Sequence, residues 1–123
     1  MESNQVVAAL GALAQESRLA VHRLLVESGP EGLAAGVIGE KLGLAPATLS
    51  FHLKELARAG LVSARQDGRY IYYAADFERM AALMSYLTRN CCRGMPDECL
   101  SVMETALSKC CAASESKRKR SKS

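Results

Sequence analysis

Residues 44–73 read LAPATLSFHLKELARAGLVSARQDGRYIYY, and their pattern decides the fold. Pro46 suits a first helical position, because its fixed φ fits there and its missing N–H would be unpaired anyway. Gly60 stops that helix, since glycine readily takes the left-handed conformation that caps helix ends. The signals predict a helix from about Pro46 to Ala59. Leu49, Leu53 and Leu56 stand at i, i+4 and i+7, one stripe that must be buried. The opposite face carries Ala47, Ser50, Phe51, Lys54, Glu55 and Arg58.

Outward from this helix, Leu33 to Leu42 reads as a shorter one, with Leu33, Val37, Ile38 and Leu42 apolar, and Gly43-Leu44-Ala45 as the turn. Two helices joined by a short glycine-containing turn make a helix-turn-helix. After Gly60, residues Leu61 to Tyr73 alternate like strands around Asp67-Gly68, the dipeptide that most strongly signals a tight hairpin. Arg65 and Arg69 flank its tip, where a solvent-facing turn holds them ready for phosphates. Phe51 on a polar face calls for a partner, either a thymine methyl group or a neighbouring helix.

The chain has 123 residues, enough for one core but not for a further catalytic domain. No run of 18 apolar residues occurs, and Met1-Glu2-Ser3-Asn4-Gln5 lacks the basic start of a signal peptide, so a cytoplasmic protein without a membrane partner is expected. Five cysteines, an odd number, fit thiols or metal ligands better than disulfides in such a compartment. Net charge is +3, but the tail from Glu115 to Ser123 holds five basic residues and one acidic, leaving −1 for the rest. Overall charge is therefore no argument for nucleic acid; the local balance of Lys54, Arg58, Arg65 and Arg69 against Glu55 and Asp67 is a modest one. No glycine-rich phosphate loop or zinc-protease motif occurs, and neither histidine stands in a nucleophile-base context, so no enzyme and no catalytic cofactor are expected.

The flanking segments are amphipathic. Val6, Val7, Leu10 and Leu13 stripe a helix from Gln5 to Ala14, too short to be stable without a surface to pack on. A helix from Ser17 to Glu27, ended by Gly29 and Pro30, carries His22 as a packing or surface residue. After the hairpin, Asp76 to Arg89 forms a helix with Phe77, Met80, Leu83, Met84 and Leu87 inward, and Asp76 can cap it.

The run Leu49-Ser50-Phe51-His52-Leu53-Lys54-Glu55-Leu56-Ala57-Arg58-Ala59-Gly60-Leu61-Val62, followed by Arg65-Gln66-Asp67-Gly68-Arg69-Tyr70-Ile71-Tyr72-Tyr73, resembles the ArsR family of metal-responsive bacterial repressors. The resemblance covers about Leu13 to Tyr86, with helix, Gly-Leu-Val junction and Asp-Gly-Arg wing in the family's order. It implies a mainly helical winged helix-turn-helix with a small β-hairpin, dimeric through its N- and C-terminal helices and seated on double-stranded operator DNA until an inducer binds. Carried over to this sequence, it adds Thr48 and His52 to the DNA-facing set of Ala47, Ser50, Phe51, Lys54, Arg58, Arg65 and Arg69, with a helix-to-helix hydrogen bond as the alternative for His52. It places Val6, Val7 and Leu10 with Leu83, Met84 and Leu87 at a homodimer interface. Two family inducer sites are not expected. The region where members often carry cysteines holds Ala34, Ala35 and Gly36, and the helix where zinc sensors carry histidine has none. Where the family's second helix opens with Asp-Pro-Thr or similar, this chain has Gln15-Glu16-Ser17, a weaker cap.

The remaining sensor candidates are Cys91, Cys92 and Cys99, directly after the expected interface helix. Thiolates on one zinc-sized ion lie within roughly 4.6 Å of each other, whereas one straight helix would separate Cys92 from Cys99 by roughly 10 Å. Gly94 and Pro96 break the helix and allow Cys99 to fold back; a new helix from Pro96 to Cys111 then buries Leu100, Met103 and Leu107. Cys110 lies about 16 Å from Cys99 on that helix, so Cys110 and Cys111 are secondary candidates. Three thiolates without histidine favour a soft ion. As(III) or Sb(III) as inducer fits best, and the resemblance points the same way; cadmium and lead, a thiol redox trigger, and a cysteine-based arsenic carrier without DNA activity are the alternatives. The expected organisation is a DNA-binding and dimerisation domain over 1–112, with the cysteine segment at about 90–111, and a basic disordered tail over 113–123.

Overall fold

A computed structural model describes residues 1–89, 102 and 104–106. The elements are α1 (Ser3–Leu13), α2 (Glu16–Ser28), β1 (Leu33–Ala34), α3 (Ala35–Leu42), α4 (Pro46–Arg58), β2 (Val62–Asp67), β3 (Tyr70–Ala75) and α5 (Phe77–Thr88). All of them, α5 as far as Leu87, belong to a compact unit spanning residues 1–87, with a second unit from 88 onward. In the second, residues 102 and 104–106 are helical. The expected sensor cysteines, and nearly all of the Pro96 to Cys111 helix, lie outside the described residues.

Local chemistry sets the helix ends. Pro46 opens α4, and Ala45 before it is extended at φ −64°, ψ 147°, as the steric demand of a following proline requires. Gly43 closes α3 in the left-handed region at φ 65°. Gln15 caps α2 despite its unpromising sequence, its Oε1 accepting from the Arg18 N–H at 2.8 Å. Asp76 caps α5 as expected, its Oδ1 accepting from the Arg79 N–H at 3.0 Å.

The core forms where α2, α3, α4 and the strands meet. Leu49, Leu53 and Leu56 of α4 are buried together with Val21, Leu25, Ile38 and Leu61. Val6 and Ala9 of α1, Val62 of β2, Ala75 of β3 and Leu83 of α5 complete it. The sheet has three antiparallel strands in the order β1-β3-β2, not the two expected. Leu33 belongs to β1 and not to the following helix, because Leu33 pairs with Tyr73 and Ala34 with Tyr72. Only glycine fits at position 32, just before this strand: its φ is +75°, and a Cβ there would collide with the Tyr73 carbonyl.

The hairpin turn lies one residue later than expected. Asp67 pairs with Tyr70, so Gly68 and Arg69 make the turn. Gly68 supplies the positive φ of 64° that such a tight reversal needs.

His22 lies in the core at 5% exposure, and its Nε2 has no hydrogen-bond partner among the described residues. Burial, and secondarily the charge of Arg23, pushes its pKa below 6.5. The unfolded chain then takes up a proton near pH 6.5 that the folded chain resists. Stability is therefore expected to fall as pH drops below about 6.5. Urea unfolding at pH 7.5 and 5.5 checks this, and His22→Leu should flatten the difference.

Candidate nucleic-acid interface

One side of α4 is buried and the other is open. Ala47, Thr48, Ser50, Phe51, Lys54 and Arg58 are all exposed. The first turn has no side-chain cap on its N–H groups, so the helix presents partial positive charge at its leading end. Phe51 is 56% exposed, with its ring edge-on to His52 at 5.8 Å between centroids. A large aromatic ring held in water on a polar face is available for an apolar partner.

His52 does not join this face. It is 7% exposed, and its Nδ1 lacks a partner among the described residues. His52 sits with Leu49, Leu53 and Leu56 on the inward side, and no helix-to-helix hydrogen bond is made from that nitrogen among the described residues. Glu55 reduces the positive character of the helix locally, pairing with Arg58 at 3.5 Å. Such an exposed pair is weak, so Arg58 can exchange it for a phosphate.

The two arginines of the hairpin differ in placement. Arg65 stands across from Tyr72, its guanidinium 5.2 Å from the centre of that ring. The same side chain reaches the Glu31 carbonyl at 3.5 Å. Arg65 therefore braces the hairpin against the loop before β1. Arg69 occupies the turn itself and is exposed. Lys54 and Arg69 have no ion pair among the described residues. Tyr70 and Ile71, which sequence reasoning passed over, add exposed apolar surface beside Arg69 at 63% and 45%. The signal was available in Tyr70-Ile71-Tyr72-Tyr73, an apolar run that cannot all face one side of a strand.

The residues expected between subunits divide in two. Val6 and Leu83 lie within the chain's own core, at 4% and 7% exposure. They pack inward because α1 and α5 each need an anchor on the helix-turn-helix. Val7, Leu10, Met84 and Leu87 are exposed, as is Phe77, which was expected inward. Among the described residues no group of three or more His, Cys, Asp or Glu side chains is placed to hold a metal ion. Cys91, Cys92, Cys99, Cys110 and Cys111 lie outside those residues. No described helix is long and apolar enough to cross a membrane.

Comparison with known proteins agrees with this architecture. A helix-turn-helix domain family model matches residues 13–64. The Bacillus subtilis HTH-type regulator YceK is 48% identical over 61 residues, 50% of this chain and 60% of its own. The transcriptional activator HlyU of Vibrio cholerae is 32% identical over 95 residues, 76% of this chain and 85% of its own. The HlyU structure superposes with a TM-score of 0.58 at 32% identity, covering 75% of this chain and 99% of that one. Mb0332 of Mycobacterium bovis, a homodimeric winged helix-turn-helix DNA-binding domain described as a possible ArsR-family regulator, gives 0.57 at 30% identity, covering 71% and 81%. The chain spans 60–62% of the length of two of its curated relatives, YceK among them. With a buried leucine stripe on α4, a three-residue turn before it and an arginine-tipped wing after it, the chain belongs to the ArsR-like family of winged helix-turn-helix transcriptional regulators.

Proposed function

We propose that the chain acts as a homodimeric repressor that holds operator DNA through α4 and the β2–β3 wing. Release follows when As(III) or Sb(III) is bound by the thiolates of Cys91, Cys92 and Cys99. The observation that carries the DNA half is the division of α4 into a buried leucine face and an exposed face of Ala47, Thr48, Ser50, Phe51, Lys54 and Arg58. A helix so divided can enter a major groove without unpacking. Arg69 at the wing tip adds a phosphate contact, and Arg65 keeps the wing upright. Exposed Val7 and Leu10 on α1, with Leu87 on α5, supply apolar surface for a second copy. Two copies would set their recognition helices on half-sites about 34–36 Å apart. The homodimeric state of Mb0332 supports this assembly.

The inducer half is carried by sequence alone. Cys91, Cys92 and Cys99 follow the end of α5 in the sequence, and three soft donors suit a trivalent ion with three sulfur ligands. Binding there would bias the relative orientation of the two recognition helices. A coupling of about 1–3 kcal/mol lowers operator affinity roughly 5- to 150-fold.

The test is fluorescence anisotropy of the reduced chain on its own promoter duplex, titrated with arsenite, antimonite, cadmium and zinc. Arsenite or antimonite is expected to release the DNA, and Cys91→Ser, Cys92→Ser or Cys99→Ser to abolish that release. Tight arsenite binding that leaves operator affinity unchanged would contradict the inducer assignment. A thiol redox switch is the second reading, favoured by the adjacent pair Cys91-Cys92; release by peroxide without arsenite would replace the metalloid by an oxidant.

A further inference from the structure

Beside the exposed face of α4, α3 and α4 border an open cleft of about 490 Å³. That lies within the roughly 300–1,000 Å³ typical of small-molecule pockets. Glycine makes the room. A Cβ at Gly36 or Gly43 would meet no atom within 4 Å, whereas at Gly39 it would come 3.1 Å from the Leu44 carbonyl oxygen and 3.4 Å from Leu49 Cδ2. The two helices therefore touch at Gly39 and leave open space at Gly36 and Gly43, both of which line the cleft. Leu49 and Leu53 give it an apolar wall, and Tyr73 of β3 borders it from the sheet.

Charge decides what can enter. Glu40 is the one charged residue among those lining the cleft, and it is exposed. A carboxylate at the rim repels phosphate oxygens and attracts a cation, so the DNA backbone is a poor occupant of this space.

We propose that the cleft between α3 and α4 binds a small apolar organic cation, its charge against Glu40 and its body between Gly36 and the Leu49–Leu53 wall. Ser50 lines the cleft and also belongs to the exposed face of α4. Occupancy should therefore compete with operator DNA; that consequence rests on the DNA reading above, whereas the binding itself does not.

Fluorescence polarisation of rhodamine 6G with the reduced full chain tests the site. Saturable binding is expected, weakened about two- to fivefold by Glu40→Gln and at least tenfold by Gly36→Leu, with neutral Nile red bound more weakly than rhodamine. Gly36→Leu places a side chain where a Cβ meets nothing and replaces glycine in a helix, so it should fold at least as stably as the parent chain; a thermal melt confirms that. No saturable binding, equal binding by either variant, or equal binding of Nile red would overturn the proposal. A chain that binds rhodamine in this pattern but no promoter DNA would uphold the cleft and refute the operator reading. Release of promoter DNA by rhodamine in the parent chain, lost in Gly36→Leu, would uphold both.

Discussion

Thr48→Glu combined with Phe51→Glu should lower affinity for the operator at least ~100-fold. Both side chains stand exposed on the first half of α4, the part of a recognition helix that meets base edges. Each good base contact is worth about 1–3 kcal/mol, and a homodimer loses each one twice. A total of about 3 kcal/mol is already about a hundredfold at roughly 1.4 kcal/mol per tenfold, before the repulsion between carboxylates and phosphates is counted. Folding should survive, because neither residue belongs to the core, and an acidic residue at position 48, in the first turn of α4, favours the macrodipole. Anisotropy at one fixed salt concentration, with a thermal melt as control, measures the effect. Unchanged affinity in a well-folded double variant would remove α4 from the interface.

Leu56→Ala should cost about 2–5 kcal/mol of folding stability. Leu56 is fully buried at 0% exposure, and its carbonyl accepts the Leu61 N–H at 3.0 Å. The side chain thus fills the core at the point where α4 turns into β2, and the room left by alanine cannot be closed without moving one of them. Small domains have only about 5–15 kcal/mol to lose. Urea unfolding should show a lower midpoint with an unchanged slope. A loss below about 1 kcal/mol would mean that the α4 stripe is not the centre of the core.

The helix-turn-helix was legible because its signals are local. Pro46, Gly43, Gly60 and the leucine spacing each act within one or two turns, and α4 has the bounds they imply to within a residue. β1 was not legible, because Leu33-Ala34 becomes a strand only by pairing with β3, some forty residues away. The turn at Gly68-Arg69 was misplaced by one residue for the same reason: the Asp67–Tyr70 pairing sets it, and Asp67-Gly68 alone suggests the earlier position. His52 is different, since its signal was present. Leu49, His52, Leu53 and Leu56 stand at i, i+3, i+4 and i+7, the full inward pattern of an amphipathic helix. Treating histidine as a polar residue removed it from a stripe to which it geometrically belongs.

The flanking helices show the limit of periodicity. Val6, Leu10 and Leu13 share one stripe of α1 with Val7 at its edge, a face broad enough to be divided between two surfaces. Val6 went into the core while Val7 and Leu10 stayed at the surface. On α5, Leu83 turned inward and Leu87 outward. Spacing alone does not say which part of a broad apolar face meets the chain's own core and which is left for another surface.

The most direct test of the account is to measure binding of the reduced full chain to its own promoter duplex and to a scrambled duplex of equal length, across a salt series. The promoter should bind at least about 10³-fold tighter than the scrambled duplex at physiological salt, and the logarithm of each affinity should fall steeply and linearly with the logarithm of salt concentration. Equal, salt-insensitive affinity for the two duplexes, or no binding to either, would contradict the assignment of α4 and the wing as a DNA-reading surface.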